Sequence, residues 1–310
     1  MTPALRALGA EPTPARPGPG PVPDALLKAL ELTIARRVDG LLSGDHRSAL
    51  LGRGTELAQV RPYVPGDDVR LIDWNVTART QEPHIRVHLA ERVLVTWLVL
   101  DTSPSMTFGT AERRKADVAL GVTLAVGHAA TMRGNRVGLV GFGSGAERVL
   151  QPTQGRAGLV GLLLALREDE DGNGAATSIP LATALNRLAG AARQRALVVI
   201  VSDFRGPRDW RRPLLRLAGR HEVVAVEIRD PREQELEPVG TLWLVDPESG
   251  RELQVNTNDA KLRERFAVAA QSERQEVARE LASAGVAHVT LSTDRDWLRD
   301  LAVFVKRRRR

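Results

Sequence analysis

The 310-residue chain has no cysteine, a single tyrosine, three methionines and an aromatic content of 4%. Without cysteine, disulfides, thiolate metal sites, iron–sulfur clusters and cysteine nucleophiles are all excluded. No apolar run approaches the roughly 20 residues that cross a bilayer. The best candidates, Val93–Leu100 and Gly158–Leu166, read as core elements, so no transmembrane segment is expected. The start, MTPALRALGAEP, lacks the basic opening and apolar stretch of a signal peptide, and the expected location is cytoplasmic. So few aromatic rings also leave little surface on which nucleic-acid bases could stack.

What is present is ordinary for a globular protein: 43% hydrophobic and 26% charged residues, in a chain long enough to bury a large core. The net charge of +6 suggests nucleic-acid binding until it is located. Residues 1–92 carry 12 basic and 11 acidic side chains, and residues 93–305 carry 27 of each. The five residues Lys306–Arg310 supply the rest, so the body is neutral and the basicity is a tail. A solvated tail with no specific nucleic-acid partner is the expectation.

Composition divides the chain into four parts. Residues 1–23 form a Pro-rich leader, with six prolines and two glycines between positions 11 and 23, and are expected to be disordered. Residues 24–92 hold a helix over Pro23–Val38 and then a strand-prone, Gly- and Pro-broken segment rich in charges of both signs. From 93 to 305 strand and helix alternate. Apolar runs at 93–100, 136–142, 196–202, 221–228 and 286–292 are separated by helical patterns at 111–132, 158–166, 179–191, 210–217 and 259–284, the last capped by Asn258. A hairpin is expected over 241–256 with its turn at Pro247–Gly250. Residues 306–310 are the basic tail. Alternation of this kind predicts an α/β fold, a doubly wound and mostly parallel sheet covered on both faces, preceded by a small strand-rich subdomain.

In such a sheet ligands bind beyond the carboxyl ends of the strands. The first long strand runs directly into Asp101-Thr102-Ser103-Pro104-Ser105-Met106, and a later one ends at Asp203. Between them, GNGAATSIP places Thr177 shortly before a helix. Asp101, Ser103, Ser105, Thr177 and Asp203 thus offer two carboxylates and three hydroxyls, an all-oxygen set suited to Mg²⁺ or Mn²⁺. Five donors leave room for an acidic group from outside. The simpler alternative is that Asp101 and Ser103 only cap the following turn. The glycines of Gly141-Phe142-Gly143-Ser144-Gly145 lack the Lys-Ser/Thr of a phosphate loop and read as a hairpin turn.

The D-x-S-x-S string after a buried strand, with Thr177 and Asp203 following, resembles the metal-ion-dependent adhesion site of von Willebrand factor type A domains. The upstream GRGTE…RPYVPGDDVRLIDWNVTAR, together with RDPRE, DPESG and LSTD downstream, resembles the bacterial family called domain of unknown function 58. The resemblance implies a Mg²⁺-binding or Mn²⁺-binding site on those five residues and a non-enzymatic, interaction-type role. It also implies partnership with a MoxR-type AAA+ ATPase in assembly, maturation or stress response. A metal-dependent phosphohydrolase built on Asp101 is the alternative, but that chemistry wants a second Asp where Ser103 stands. Within the signature, Pro65-Gly66-Asp67-Asp68 is turn chemistry. Arg61, Arg70 and Arg79 are expected to pair with Asp67, Asp68 and Asp73, while Tyr63 and Trp74 are expected to anchor the subdomain.

Overall fold

The computed structural model describes residues 51–89, 94–109, 113–131, 135–144, 148–155, 178–246 and 250–307. The leader, the helix expected over 23–38, the helical pattern at 158–166 and Thr177 lie outside the described residues, as does most of the turn expected at 247–250. The described residues fall in two compact units, a smaller one that holds residues 51–89 and a larger one that holds residues 94–307.

In the smaller unit, β1 (Leu51–Pro62) pairs antiparallel with β2 (His84–Leu89), and α1 (Trp74–Thr80) lies between them in sequence. The PGDD motif behaves as its composition predicts. Gly66 takes φ of 109°, and the Asp67 N–H donates to the Val64 carbonyl at 3.0 Å, closing a turn that needs glycine at its third position. Asp67 accepts two bonds from the Arg61 guanidinium at 2.7 and 2.8 Å and one from the Val64 N–H at 2.9 Å. The other expected pairings are different. Asp73 caps α1 and pairs with Arg86 at 2.8 Å, Asp68 accepts from the Arg70 backbone N–H, and the Arg79 side chain donates to the Asn75 carbonyl. Arg61 and Asp67 pair as expected, but Asp73 does not take a nearby arginine, because β2 brings Arg86 back to it. Trp74, expected to be an anchor, is 71% exposed.

The larger unit holds a six-stranded sheet made of β3 (Val95–Asp101), β4 (Arg136–Phe142), β5 (Arg148–Gln154), β6 (Leu197–Ser202), β7 (Glu222–Arg229) and β10 (Ala287–Ser292). The strand order is β10-β7-β6-β3-β4-β5, and all pairings are parallel except β4 with β5. This is the doubly wound, mostly parallel α/β architecture the sequence predicts. β3, β4, β6 and β7 are buried along nearly their whole length, which is why they read as unbroken apolar runs. The edge strands β5 and β10 are mixed in burial.

On one face Trp97, Val99, Val140, Ile200 and Ala225 pack with α3 (Leu181–Ala191), α4 (Arg211–Ala218) and the end of α5 (Ala260–Ser283). Against β3, β4, β6 and β7 also lies α2 (Lys115–Thr131), a helix of small residues buried almost all round, and α6 (Trp297–Arg307) packs on β10. A separate hairpin of β8 (Thr241–Val245) and β9 (Glu252–Asn256) encloses a small apolar cluster around Leu236 and Leu244. Two boundaries differ from expectation. Asp259, not Asn258, caps α5, accepting from the Lys261 and Leu262 N–H groups. Lys306 and Arg307 belong to the last turn of α6, where cations suit the helix dipole, so the tail begins later than the charge run does. Among the described residues no helix is long and apolar enough to cross a membrane.

Glycine at position 138 in β4 is dictated by packing. A Cβ there would come within 2.8 Å of the Trp97 ring, which is 1% exposed, and 3.0 Å from the Leu150 carbonyl. Gly138→Ala is expected to cost about 1–3 kcal/mol of stability, the range for overpacking a rigid core, as measured by urea unfolding.

Candidate functional site

The chain winds outward in both directions from the centre of the sheet. It runs from β3 to β4 and β5 on one side, then returns to place β6 on the other side of β3. The crevice at this reversal lies at the carboxyl ends of β3 and β6. Asp101 ends β3, and Ser202 and Asp203 lie at the end of β6, in register through Leu100 and Val201. Four of the five residues predicted from sequence are described, and the sheet delivers them to this edge. Thr177 is outside the described residues, but Ile179 two positions on exchanges hydrogen bonds with Gly143 at 2.8 and 3.0 Å.

Asp101 is 6% exposed. One carboxylate oxygen accepts from the Ser103 N–H at 2.9 Å, and the other accepts from the Ser202 hydroxyl at 2.5 Å. The simple capping alternative accounts for the first bond only. Ser103 stands at the start of a short helical turn, Pro104–Thr107, but its side chain makes no capping bond. Its hydroxyl instead faces that of Ser105 at 3.0 Å. Among the described residues no Lys or Arg forms an ion pair with Asp101. Burial first, and the negative charge of Asp203 second, push its pKa up to about 7.

Asp203 has a different fate. One oxygen accepts from the Lys115 ammonium at 2.7 Å and the other from the Arg205 N–H at 3.0 Å. Burial disfavours its charge, but Lys115 and Arg205 outweigh that and hold its pKa below the ordinary carboxylate range. Lys115 is 0% exposed and donates also to Glu233, at 2.7 Å. Burial works to lower the pKa of this lysine, yet its two carboxylate partners outweigh that and hold it above the usual value. Glu233 is raised by its burial. It is held in place by RDPRE, where Asp230 caps the turn and also accepts from the Thr293 hydroxyl of LSTD at 2.7 Å. Two stretches singled out in the sequence thus meet at Thr293, whose backbone N–H also donates to the Arg229 carbonyl at 3.0 Å.

Lys115, Glu233 and Ser202 are the site residues that sequence reading missed. Lys115 hides in the charged run Glu112-Arg113-Arg114-Lys115. Its one signal is phase: it lies three, four and seven residues before the buried Val118, Ala119 and Val122 on α2. The turn after β6 is strained at Phe204, φ 54°, whose ring is locked edge-to-face against Trp210 at 5.7 Å.

A cation fits the donor set in part. Asp101, Ser103 and Ser105 present oxygen only, around a buried carboxylate that among the described residues has no paired cation, whereas Asp203 is already paired with the Lys115 ammonium. Among the described residues no cluster of three or more His, Asp or Glu could bind an ion, so one here would rely on hydroxyls. The loop is set by Gly143, where φ is 101° and a Cβ would lie 2.3 Å from the Ser103 nitrogen. GFGSG is therefore neither a phosphate loop nor only a turn, since it gives the D-x-S backbone room to approach.

Two outcomes follow. Gly143→Ala should lower stability by about 2 kcal/mol in urea unfolding, from overpacking and positive-φ strain together. Asp101 supplies a pH signature in EDTA. Its folded pKa of about 7 lies above the unfolded value near 3.9, so over that window the native state holds a proton the unfolded chain has released. Stability therefore falls as pH rises through it. Relative to Asp101→Asn, the wild type should lose stability between about pH 5 and about pH 8. Parallel profiles would show that Asp101 does not titrate there.

Over residues 59–276 the sequence matches the family described as "Protein of unknown function DUF58". It is similar to the uncharacterized proteins Mb1516 of Mycobacterium bovis and Rv1480 of Mycobacterium tuberculosis. Each is 44% identical over 289 residues, covering 92% of this chain and 90% of the relative. Among solved structures it is similar to the conserved hypothetical protein BatB from Bacteroides thetaiotaomicron, with a TM-score of 0.46 at 14% identity over 69% of this chain and 98% of that one. It is also similar to a von Willebrand factor type A protein from Catenulispora acidiphila, with a TM-score of 0.37 at 13% identity over 71% and 42% of the two chains.

Proposed function

The chain belongs to the DUF58 family, and from the geometry at the end of β3 we propose that it is a metal-ion-dependent protein-interaction module. The observation that carries this reading is the state of Asp101, a buried carboxylate that among the described residues has no paired cation, beside two facing hydroxyls. An isolated buried charge is costly, and a cation at that point would offset the cost. Asp101, Ser103 and Ser105 would hold Mg²⁺ or Mn²⁺, with Thr177 as the further hydroxyl and Asp203 contributing its charge at one remove. The bound ion would supply an electrophilic point for a carboxylate on a protein partner.

The residues around the ion set its character. Lys115 neutralises Asp203 from behind, so Asp101 is the carboxylate left to balance the ion. An ion balanced by one carboxylate keeps positive charge for an incoming acid. Ser202 orients Asp101 and keeps its second oxygen hydrogen-bonded. The expected partner is a MoxR-type AAA+ ATPase, a reading that rests on the family resemblance, and the setting is assembly, maturation or stress response.

Calorimetric titration with Mg²⁺ should show saturable binding to the wild type and none to Asp101→Ala, with unfolding still cooperative. Binding of the purified MoxR-type ATPase should require both Mg²⁺ and Asp101. Association undiminished in EDTA would overturn the proposal.

A further inference from the structure

Beside the Asp101 site, a small open cleft lies beyond the ends of β6 and β7, lined also by α5. Its walls include Arg205, Arg229, Arg274 and Gln234. The acidic residues of the same walls are already engaged. Asp203 and Glu233 are bonded to Lys115, and Glu227 accepts from Arg229 at 2.6 Å and contacts His288 Nε2 at 2.7 Å. Glu273 is not free either.

Two guanidinium groups are left short of acceptors. Arg205 Nη1 is buried without a hydrogen-bond partner, standing 3.5 Å from a Glu233 oxygen that already serves Lys115. Arg274 is half-buried on α5 and, among the described residues, has neither a hydrogen bond nor an ion pair. Its burial, and the positive charge of Arg229 after it, lower its pKa. The Gln234 side-chain oxygen is also buried and, among the described residues, unpartnered, but as an acceptor it calls for a donor and takes no part in holding an anion. A buried polar group left unpaired costs about 1–3 kcal/mol, and the Arg205 Nη1, ion-paired at a distance but without a hydrogen bond, together with Arg274 facing the same cleft, calls for an acceptor from outside.

We infer that this cleft is a binding site for a single carboxylate group, gripped by Arg205 and Arg274. Charge selects the carboxylate over a phosphate. The three arginines of the walls face four acids, Asp203, Glu227, Glu233 and Glu273, two of which Lys115 pairs from outside the lining, and Glu235 also acts on Arg274, so the cleft carries no excess positive charge. In walls with no excess positive charge, a single negative charge between the two guanidinium groups is repelled less by the neighbouring acids than a dianion would be. The planar fork of arginine also matches a carboxylate in two-point contact. The carboxylate comes from a free acid or from an Asp or Glu side chain of a protein, and the chemistry of the grip is the same for both.

The test follows arginine Nε–H signals by NMR on protein stripped of metal with a chelating resin and dialysed, which makes it independent of metal binding at Asp101 and leaves no carboxylate chelator in solution. Sodium acetate, the blocked peptide acetyl-Gly-Glu-Gly-amide, phosphate and chloride are titrated at constant ionic strength. Signals of Arg205 and Arg274 should move saturably with acetate, the peptide or both, and less tightly with phosphate. Tighter saturation by the peptide assigns the site to a protein's acidic side chain, and tighter saturation by acetate assigns it to a free acid. Arg274→Gln, at a half-buried helix position, should weaken that binding by about tenfold, the value of one charged hydrogen bond. Shifts that stay linear, that chloride reproduces, that survive Arg274→Gln or that saturate first with phosphate would overturn the inference.

Discussion

The Lys115 ammonium is the interaction on which the site depends. It is fully buried and joins the start of α2 to the end of β6 and to the turn after β7 by two bonds of 2.7 Å. Three carboxylates, from Asp101, Asp203 and Glu233, lie buried at one edge of the sheet. Charges there must be paired or neutralised, and removing one partner of such a pair typically costs about 3–5 kcal/mol. One ammonium can serve two of the three. Lys115 takes Asp203 and Glu233, so Asp101 is left with hydroxyl and amide donors and a pKa near neutrality. The asymmetry between two acids that look alike in sequence is therefore set by a lysine on a third element.

The sheet makes that competition possible. Parallel strands in register bring the ends of β3 and β6 to the same level, and the reversal in strand order opens a crevice between them. Backbone economy finishes the arrangement. Gly143 lets the β4 end approach the Ser103 nitrogen, Phe204 accepts a left-handed conformation after Asp203, and the Asp230 cap presents Glu233 to the lysine. Each device moves a polar group by a few ångströms, which separates a cluster of acids from a site.

Much of this was legible in the sequence, and the parts that were not share a physical cause. The central strands announced themselves because burial on both faces leaves no polar positions, as in Val95–Asp101 and Leu197–Ser202. The type of turn at Gly66 and the chain reversal at Gly285, φ 67°, follow from local chemistry that glycine makes nearly unavoidable. Asp101, Ser103, Ser105 and Asp203 could be named because the ends of apolar runs mark a sheet edge. What could not be read was partnership across the fold. Asp73 pairs with Arg86 rather than with the nearer arginines, and Lys115 serves acids 88 and 118 positions away. Sequence distance carries no information about such pairs. Only the helical phase of Lys115 hints that an ordinary-looking cation is inside.

The same reasoning separates the tail from the site. The excess of positive charge that dominates the composition begins at Lys306 and starts within the last turn of α6, where it complements the helix dipole. The charges with chemical consequence lie in a body whose totals cancel. Within it, Lys115 is spent inward on Asp203 and Glu233, and Arg229 is spent on Glu227. What remains facing the crevice and its neighbouring cleft is one under-compensated carboxylate, Asp101, and two under-paired guanidinium groups, Arg205 and Arg274. The carboxylate suits a cation and the guanidinium groups suit an anion. A neutral body can therefore hold two recognition points of opposite sign, because pairing inside the fold decides which charges are left to meet a ligand.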